Sequence, residues 1–373
     1  MKCDVLVVGA GPAGSMAAKT IANENVDTVL IERSPHIGLP VRCAEGINKF
    51  LFNDTGIKIN PSLVENKING TKIYYREEVY DLNSEQWQGF TIDRSKFDAY
   101  LAEKAKQSGA KVFTSTKAVG LKKNRGKWVV EVISQGEKKT IKAKIIIGAD
   151  GFESNIGEWA SIKKKWEKND IFKCFELYAT CPKLRGNDRF HIFFGEEFYS
   201  GYGWIFPKKN KANIGVGVPL QSSAVDTFNN SLKANKRYKE IIGDSCSIIE
   251  RRGGGVPMSG PKELNQTVGD GIILIGDAAG MVEPVTGEGI SPSMISGIAA
   301  GEIVSTSIKD KNWNKTQLRK YETIWRNKRY MNTTLGTSME GLLELKETFQ
   351  YMFSDRATTQ ERKTFIHNIS ELT

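Results

Sequence analysis

The chain has 373 residues, 39% of them apolar and 26% charged, with a net charge of +10. The apolar share builds a real core and excludes wholesale disorder, and the length suits one two-lobed enzyme better than a string of small modules. The basic balance fits anionic lipid headgroups, an acidic protein partner or scattered surface lysine; no nucleic-acid fingerprint accompanies it, so no nucleic-acid partner is expected.

The first 32 residues read as strand, turn, helix, strand. Val5–Val8 is a short buried apolar run, and Gly9, Gly11 and Gly14 form a G-x-G-x-x-G turn. A helix follows, then a second apolar strand, Thr28–Ile31, closed by Glu32. The three glycines give, in turn, a tight bend, room for backbone to approach a pyrophosphate, and close helix–strand packing. The helix N-terminus faces the phosphates and the Glu32 carboxylate accepts from a ribose, so this unit predicts dinucleotide binding. No signal peptide is expected, because residues 3–8 are committed to the strand.

Residues 95–110 predict an amphipathic helix ended by Gly109, followed by a β-rich stretch over 111–147 with a turn at "KKNRGK". From about 172 to 220 the apolar period becomes two, which predicts an antiparallel sheet with a hairpin over "KKNK". Residues 271–290 read as another buried strand feeding a glycine-rich turn, and the chain looks helical from about 292 onward. The lobes are therefore expected to interleave: a nucleotide lobe over 1–170 and 266–305, a sheet lobe over 171–265, and a helical region over 306–373.

The five cysteines, Cys3, Cys43, Cys174, Cys181 and Cys246, are odd in number and include no Cys-x-x-Cys. That argues against a disulfide framework, a zinc ribbon or a dithiol centre, and for a reducing cytosol. His36, His191 and His367 are far apart, read as single surface or turn histidines, and predict no metal. No Gly-x-Ser-x-Gly elbow occurs, and no run of eighteen apolar residues, so any membrane contact is expected to be peripheral.

Three elements together are more specific than the first alone: "GAGPAG" at 9–14, "GADG" at 148–151 and "GDAAG" at 276–280. The combination resembles the glutathione-reductase-type FAD proteins, in the branch of the aromatic hydroxylases. Within that branch, "PVRCAEGI" (40–47), "YGWIFP" (202–207), "GGGVP" (253–257) and "GDAAGMVEPVTGEGI" (276–290) are similar to the geranylgeranyl reductase family, most of all its archaeal digeranylgeranylglycerophospholipid reductases. The resemblance covers roughly residues 1–300, with Ala44 standing where the family often has glycine.

It implies an α/β fold: a Rossmann-like FAD lobe, an antiparallel substrate sheet and a helical C-terminal region. It also implies FAD held by Gly9, Gly11, Ala13, Gly14 and Arg33, with Glu32 at the adenosine ribose. Arg94, in "FTIDRSKFDAYL", resembles the arginine that reaches the phosphates, and Asp277 would stand by the ribityl chain. Cys43, Ala44 and Gly46 would lie against the flavin, Ala118 near the adenine, and Gly289 and Ile290 at the flavin end of a helix. The activity implied is FAD-dependent saturation of geranylgeranyl C=C bonds, on an archaeal digeranylgeranylglycerol phospholipid, in membrane lipid biosynthesis.

Such a reaction needs an apolar channel, a proton source and a surface tolerant of positive charge. In a strand Tyr202, Trp204 and Phe206 share one face. They offer a wall for a prenyl chain, with Tyr202 and Trp204 also as catalytic candidates; their π-faces steady a cationic carbon. Cys43 has three readings: flavin contact, proton donor with a pKa lowered near Arg42, or buried bystander. Glu45 and Tyr202 are further candidate donors. Only one dinucleotide fingerprint is visible, so electrons come from a ferredoxin-like carrier or from NAD(P)H docking without its own domain.

The stretch 312–332 places Leu318, Tyr321 and Trp325 at helical spacing among Lys315, Arg319, Lys320, Arg326, Lys328 and Arg329. It reads either as a basic helix on an anionic bilayer or as a core-facing stripe. A second stripe, Leu342, Leu345, Phe349, Met352 and Phe353, is a candidate for the far end of a lipid tunnel. The expected location is cytoplasmic, with peripheral contact on the inner face of the cell membrane. Two competing functions keep this fold: a flavin monooxygenase or halogenase on an aromatic substrate, and a non-catalytic prenyl-lipid binding protein.

Overall fold

A computed structural model describes residues 1–58, 60–124, 126–163, 165–258, 267–330 and 339–370, with the side chains of 326–330 and 339–343 outside the described set. The apolar runs found in the sequence become a six-stranded sheet. Its order is Val268–Gly269, Ile272–Leu274, Ile145–Gly148, Val5–Val8, Thr28–Ile31, Lys111–Phe113. All pairings are parallel except the first. Ile272–Leu274, Ile145–Gly148, Val5–Val8 and Thr28–Ile31 are buried throughout, which is why they read as unbroken apolar runs.

Helices Pro12–Ala22 and Ile290–Lys309 pack on this core and on each other. Gly297 permits their approach, since a Cβ there would stand 2.3 Å from the Ala13 carbonyl oxygen. The same core takes Val130, Val132 and Ile141 from a three-stranded antiparallel sheet over Thr116–Asn124, Lys127–Ser134 and Glu137–Ala143.

The helix expected at 95–110 is Arg94–Gln107, capped by Asp93, whose side chain accepts from the Ser95 and Lys96 amides. The period-two region forms a seven-stranded sheet. Its order is Ser247–Pro257, Ile171–Thr180, Lys211–Pro219, Tyr202–Lys208, Arg189–Phe194, Gly70–Tyr75, Glu78–Leu82. The hairpin over 208–211 is present. Two features differ from the expectation. The last two strands come from residues 70–82, inside the stretch assigned to the nucleotide lobe, and Arg189–Phe194 pairs with Gly70–Tyr75 in parallel. Those two strands lie far apart in the chain, so their pairing leaves no local signal.

Two further expectations are corrected. Cys181 and Cys246 form a disulfide across 65 residues, leaving Cys3, Cys43 and Cys174 free. Thr180 pairs with Ser247 in neighbouring strands, so the residues just outside them meet. His191 is buried rather than superficial; its Nδ1 is 2.8 Å from the Tyr74 hydroxyl, and burial pushes its pKa down to about 3.

The C-terminal region is helical, over Ile290–Lys309, Lys315–Leu318, Lys320–Tyr330, Met339–Met352 and Thr359–Ser370. Leu318, Tyr321 and Trp325 are wholly buried, and the Tyr321 hydroxyl donates to the Leu274 carbonyl. The first stripe therefore faces the core, with Lys315, Arg319 and Lys320 exposed behind it. Leu345, Phe349, Met352 and Phe353 pack against Ile73, Tyr75 and Phe194 of the large sheet. Arg326, Lys328, Arg329 and Leu342 lie outside the described side chains.

Candidate active site

Three neighbouring parallel strands end on one side of the first sheet, and each runs into a glycine-bearing turn. Val5–Val8 leads to Gly9–Gly14, Ile145–Gly148 to Ala149–Gly151, and Ile272–Leu274 to Gly276–Gly280. Ligands of open α/β sheets bind outside such carboxyl ends. A cavity of about 450 Å³ begins here, lined by Gly11, Ala13, Ala149 and Asp277, and reaches the large sheet.

The glycine turn works through backbone. Gly9 has φ +104°, and a Cβ there would lie 2.3 Å from the Ala149 carbonyl oxygen. At Gly14 a Cβ would come within 1.9 Å of the Gly9 carbonyl oxygen. Around Gly11 nothing lies within 4 Å of a Cβ, and the helix it opens has no side-chain cap. Those amides are left for a ligand. Gly289 opens Ile290–Lys309 without a side chain of its own to cap it, although Glu288 accepts from the Ser291 amide at 3.4 Å, and it lines the same cavity. Two helix N-termini and an open glycine fit the expected FAD. Asp277 is half-buried beside Gly289, where a Cβ would stand 3.3 Å from its carboxyl oxygen; desolvation pushes its pKa up to about 6 against the pull of Arg94 and Lys163.

Glu32 holds the turn from the side, accepting from the Ala10 amide at 3.0 Å and the Ser34 amide at 2.9 Å. Glu32, Arg33, Ala118, Gly9 and Gly14 are not cavity walls. Arg33 is exposed, Ala118 packs against the parallel-sheet core, and the two glycines act through chain packing. Arg94 does line the cavity, with its guanidinium on Asp98 through two contacts of 2.7 Å.

At the other end, Tyr202, Trp204 and Phe206 form one wall, with successive ring centroids 5.9 and 6.4 Å apart. Phe190, Ile192, Phe194, Ile73 and Phe349 extend it. Gly215 and Gly217 make the wall possible: Cβ atoms there would stand 2.5 and 3.7 Å from the Trp204 ring. The Cys43–Gly46 segment runs against the same wall, since a Cβ on Gly46 would meet Phe206 at 2.8 Å.

A buried charge network pins this segment. Glu45, in left-handed backbone at φ +64°, accepts from Lys208 Nζ at 2.5 Å, Asn213 Nδ2 at 2.9 Å and Arg252 Nη1 at 3.1 Å. Its other oxygen accepts from the Arg94 amide at 2.7 Å. Asn213 also donates to the Ala44 carbonyl at 2.7 Å. Burial pushes the Glu45 carboxyl up, but Lys208, the Arg94 amide and Asn213 outweigh it and hold it below the usual range. Glu45 is thus a carboxylate anchor, not a proton donor.

The expected lowering at Cys43 is also corrected. Arg42 is exposed, and burial raises the thiol pKa against the opposing charge of Arg94. Cys43 Sγ accepts from the Glu45 amide at 3.2 Å. Burial likewise raises the Tyr202 phenol, whose hydroxyl donates to the Thr286 carbonyl. Lys208, Asn213, Arg252 and Glu176 went unnoticed in the sequence. The period-two pattern places Lys208 on the face of Tyr202, Trp204 and Phe206, the one signal that could have found it.

The FAD binding domain family matches residues 2–324. A digeranylgeranylglycerophospholipid reductase of Methanocaldococcus jannaschii is 40% identical over 88% of this chain and 83% of its own length. One from Methanothrix thermoacetophila is 36% identical over 95% and 89%. The structure of a geranylgeranyl bacteriochlorophyll reductase-like protein from Thermoplasma acidophilum superposes with a TM-score of 0.80 at 29% identity, covering 99% of this chain and 95% of that one. A flavin-dependent brominase, at 16% identity and a TM-score of 0.74 over 99% and 94%, shares the fold alone.

Proposed function

Because this chain belongs to the digeranylgeranylglycerophospholipid reductases, within the FAD binding domain family, we propose that it saturates the geranylgeranyl chains of a 2,3-digeranylgeranylglycerol phospholipid. The chain is a flavin-dependent oxidoreductase and FAD is its cofactor. The observation that carries the substrate reading is one continuous cavity with an anion-binding end at Gly11 and Gly289 and an apolar end at Trp204, Phe194 and Phe349.

Bound and reduced, FAD supplies a hydride to an alkene carbon. Gly11, Ala13 and Gly289 would hold it through backbone amides, with Asp277 and Arg94 beside it; Glu32 would receive the adenosine ribose. Cys43, Ala44 and Gly46 would press the flavin towards the aromatic wall. Tyr202, Trp204 and Phe206 would exclude water and steady positive charge on carbon, by about 0.5–2 kcal/mol per ring. Trp204 suits this best, as its ring is buried across two glycines.

Electrons would arrive from an acidic carrier of the ferredoxin type, drawn by the net charge of +10, or from NAD(P)H. No helix among the described residues is long and apolar enough to cross a membrane, so the lipid would be met at a bilayer surface. The test uses the flavoprotein reduced anaerobically with dithionite and mixed with geranylgeranylated glycerophospholipid. Mass gains in steps of two hydrogens with flavin reoxidation are expected; no gain from a fully reduced flavin overturns the reading.

A further inference from the structure

We propose that Glu176 is the acid that delivers the proton to the alkene, an inference that rests on the prenyl-reductase reading. Glu176 lies on Ile171–Thr180, lines the cavity, and is buried. Neither of its carboxyl oxygens has a hydrogen-bond partner among the described residues. Glu176 and the Trp204 ring converge on Gly215: a Cβ on that glycine would stand 2.7 Å from Glu176 Cβ and 2.5 Å from Trp204 Cζ2. A buried acid without a hydrogen bond among the described residues thus shares the cavity wall at Gly215 with Trp204.

The other groups at this end are committed. Glu45 is ion-paired to Lys208 and Arg252, and Tyr202 donates to the Thr286 carbonyl. Glu288 accepts from Asn48, and Glu283 from Thr286. Burial pushes the Cys174 thiol up to about 12 with only acidic groups beside it, so it would leave an uncompensated thiolate, and Cys43 already accepts from the Glu45 amide. Glu176 differs. Arg252 Nη1 stands 3.8 Å from its Oε1, beyond hydrogen-bond reach but close enough to stabilise the carboxylate left behind.

The charged and titratable groups around it come from every packed element. Arg252 and Glu250 lie on one neighbouring strand, Lys208 on the hairpin, Glu45 and Cys43 on the loop, and Cys174 and Tyr178 on its own strand. Arg252 already faces Glu45 and Glu250, at 3.1 and 2.8 Å, so its charge is shared before it reaches Glu176. Burial pushes Glu176 up to about 8 against Arg252, keeping it protonated at neutral pH.

In the step itself the Glu176 O–H bond breaks and the alkene π pair forms a new C–H bond with that proton. The electron-deficient carbon, the more substituted one, is filled by the hydride. The two electrons trace back to the donor that reduced FAD, and the carboxylate regains its proton from water before the next turnover.

The test compares wild type, Glu176→Gln and Glu176→Asp as flavin-loaded proteins reduced by dithionite. Glu176→Gln should keep its flavin spectrum and lipid binding while lipid-driven flavin reoxidation falls at least ~100-fold, with Glu176→Asp intermediate. The wild-type rate should fall as pH rises through about 8, and this limb should vanish in Glu176→Gln. Independently of turnover, infrared difference spectra should show a protonated-carboxyl band that titrates near the same pH and is missing from Glu176→Gln. Wild-type rates in Glu176→Gln, or a carboxyl band unchanged by the substitution, overturn the assignment alone. Failure of wild type to hydrogenate the lipid overturns the function reading and the assignment with it.

Discussion

At the glycine end of the cavity three wall segments continue directly from parallel strands, and Gly11 and Gly289 there open helices with backbone amides. At the opposite end, Glu45, Lys208, Asn213 and Arg252 come from a loop and three different strands, and what they offer is side-chain charge and hydrogen bonds. The first end is set by where chains can approach: no side chain at Gly14 or Gly9 leaves the turn intact. The second is set by compensation, since each buried charge is tolerable only while its partners hold register. The first end thus depends on the glycines themselves, whereas the second is electrostatically coupled.

The largest test of that contrast is Lys208→Met. It removes the 2.5 Å partner of a carboxylate that is 2% exposed, and should cost about 3 kcal/mol of unfolding free energy in urea titration. Adding Glu45→Gln should recover most of the loss. A cost under about 1 kcal/mol would show the network to be looser than the contrast requires.

Gly14→Ala should act on the other end. Its Cβ would lie 1.9 Å from the Gly9 carbonyl oxygen, a backbone atom that cannot step aside. About 1–3 kcal/mol of stability should be lost, and the purified protein should carry little flavin by visible absorbance. Gly215→Ala is the matching change at the aromatic wall, pushing on Trp204 and Glu176. It should cost about 1–2 kcal/mol, retain flavin, and slow lipid reduction by roughly tenfold. Equal flavin loss in the two glycine variants would erase the distinction between the ends.

The smallest effect concerns the C-terminal helices that close the apolar end. Arg362 donates to Glu78 at 2.9 Å, tying Thr359–Ser370 to the edge strand of the large sheet. Burial raises the Glu78 carboxyl, but Arg362 and Thr359 bring it down to about 2. A depressed carboxyl contributes stability above its unfolded pKa and loses it as pH falls through the folded one. Hydrogen-exchange protection of this helix should therefore hold above about pH 4.5 and fade towards pH 2, with Glu78→Gln already weakened at neutral pH. Protection at the Pro12–Ala22 helix should not follow it.

Much of this molecule was legible before folding. The glycine turn, the strands on either side of it and the shared face of Tyr202, Trp204 and Phe206 all follow from patterns a few residues long, because turn sterics and side-chain alternation act locally. So does the helix capped by Asp93. The sequence by itself determined the α/β architecture, the glycine turn and the aromatic face of Tyr202, Trp204 and Phe206. Only the tertiary structure decided that Glu45 is an anchor and that Glu176 is a buried acid with Arg252 nearby but no hydrogen bond among the described residues. It also decided that Cys181 meets Cys246, and that Leu318, Tyr321 and Trp325 face inward. Ionisation, pairing and burial depend on which distant strands lie side by side, and register across a seven-stranded sheet drawn from separate parts of the chain is a sum of long-range contacts that no local pattern carries.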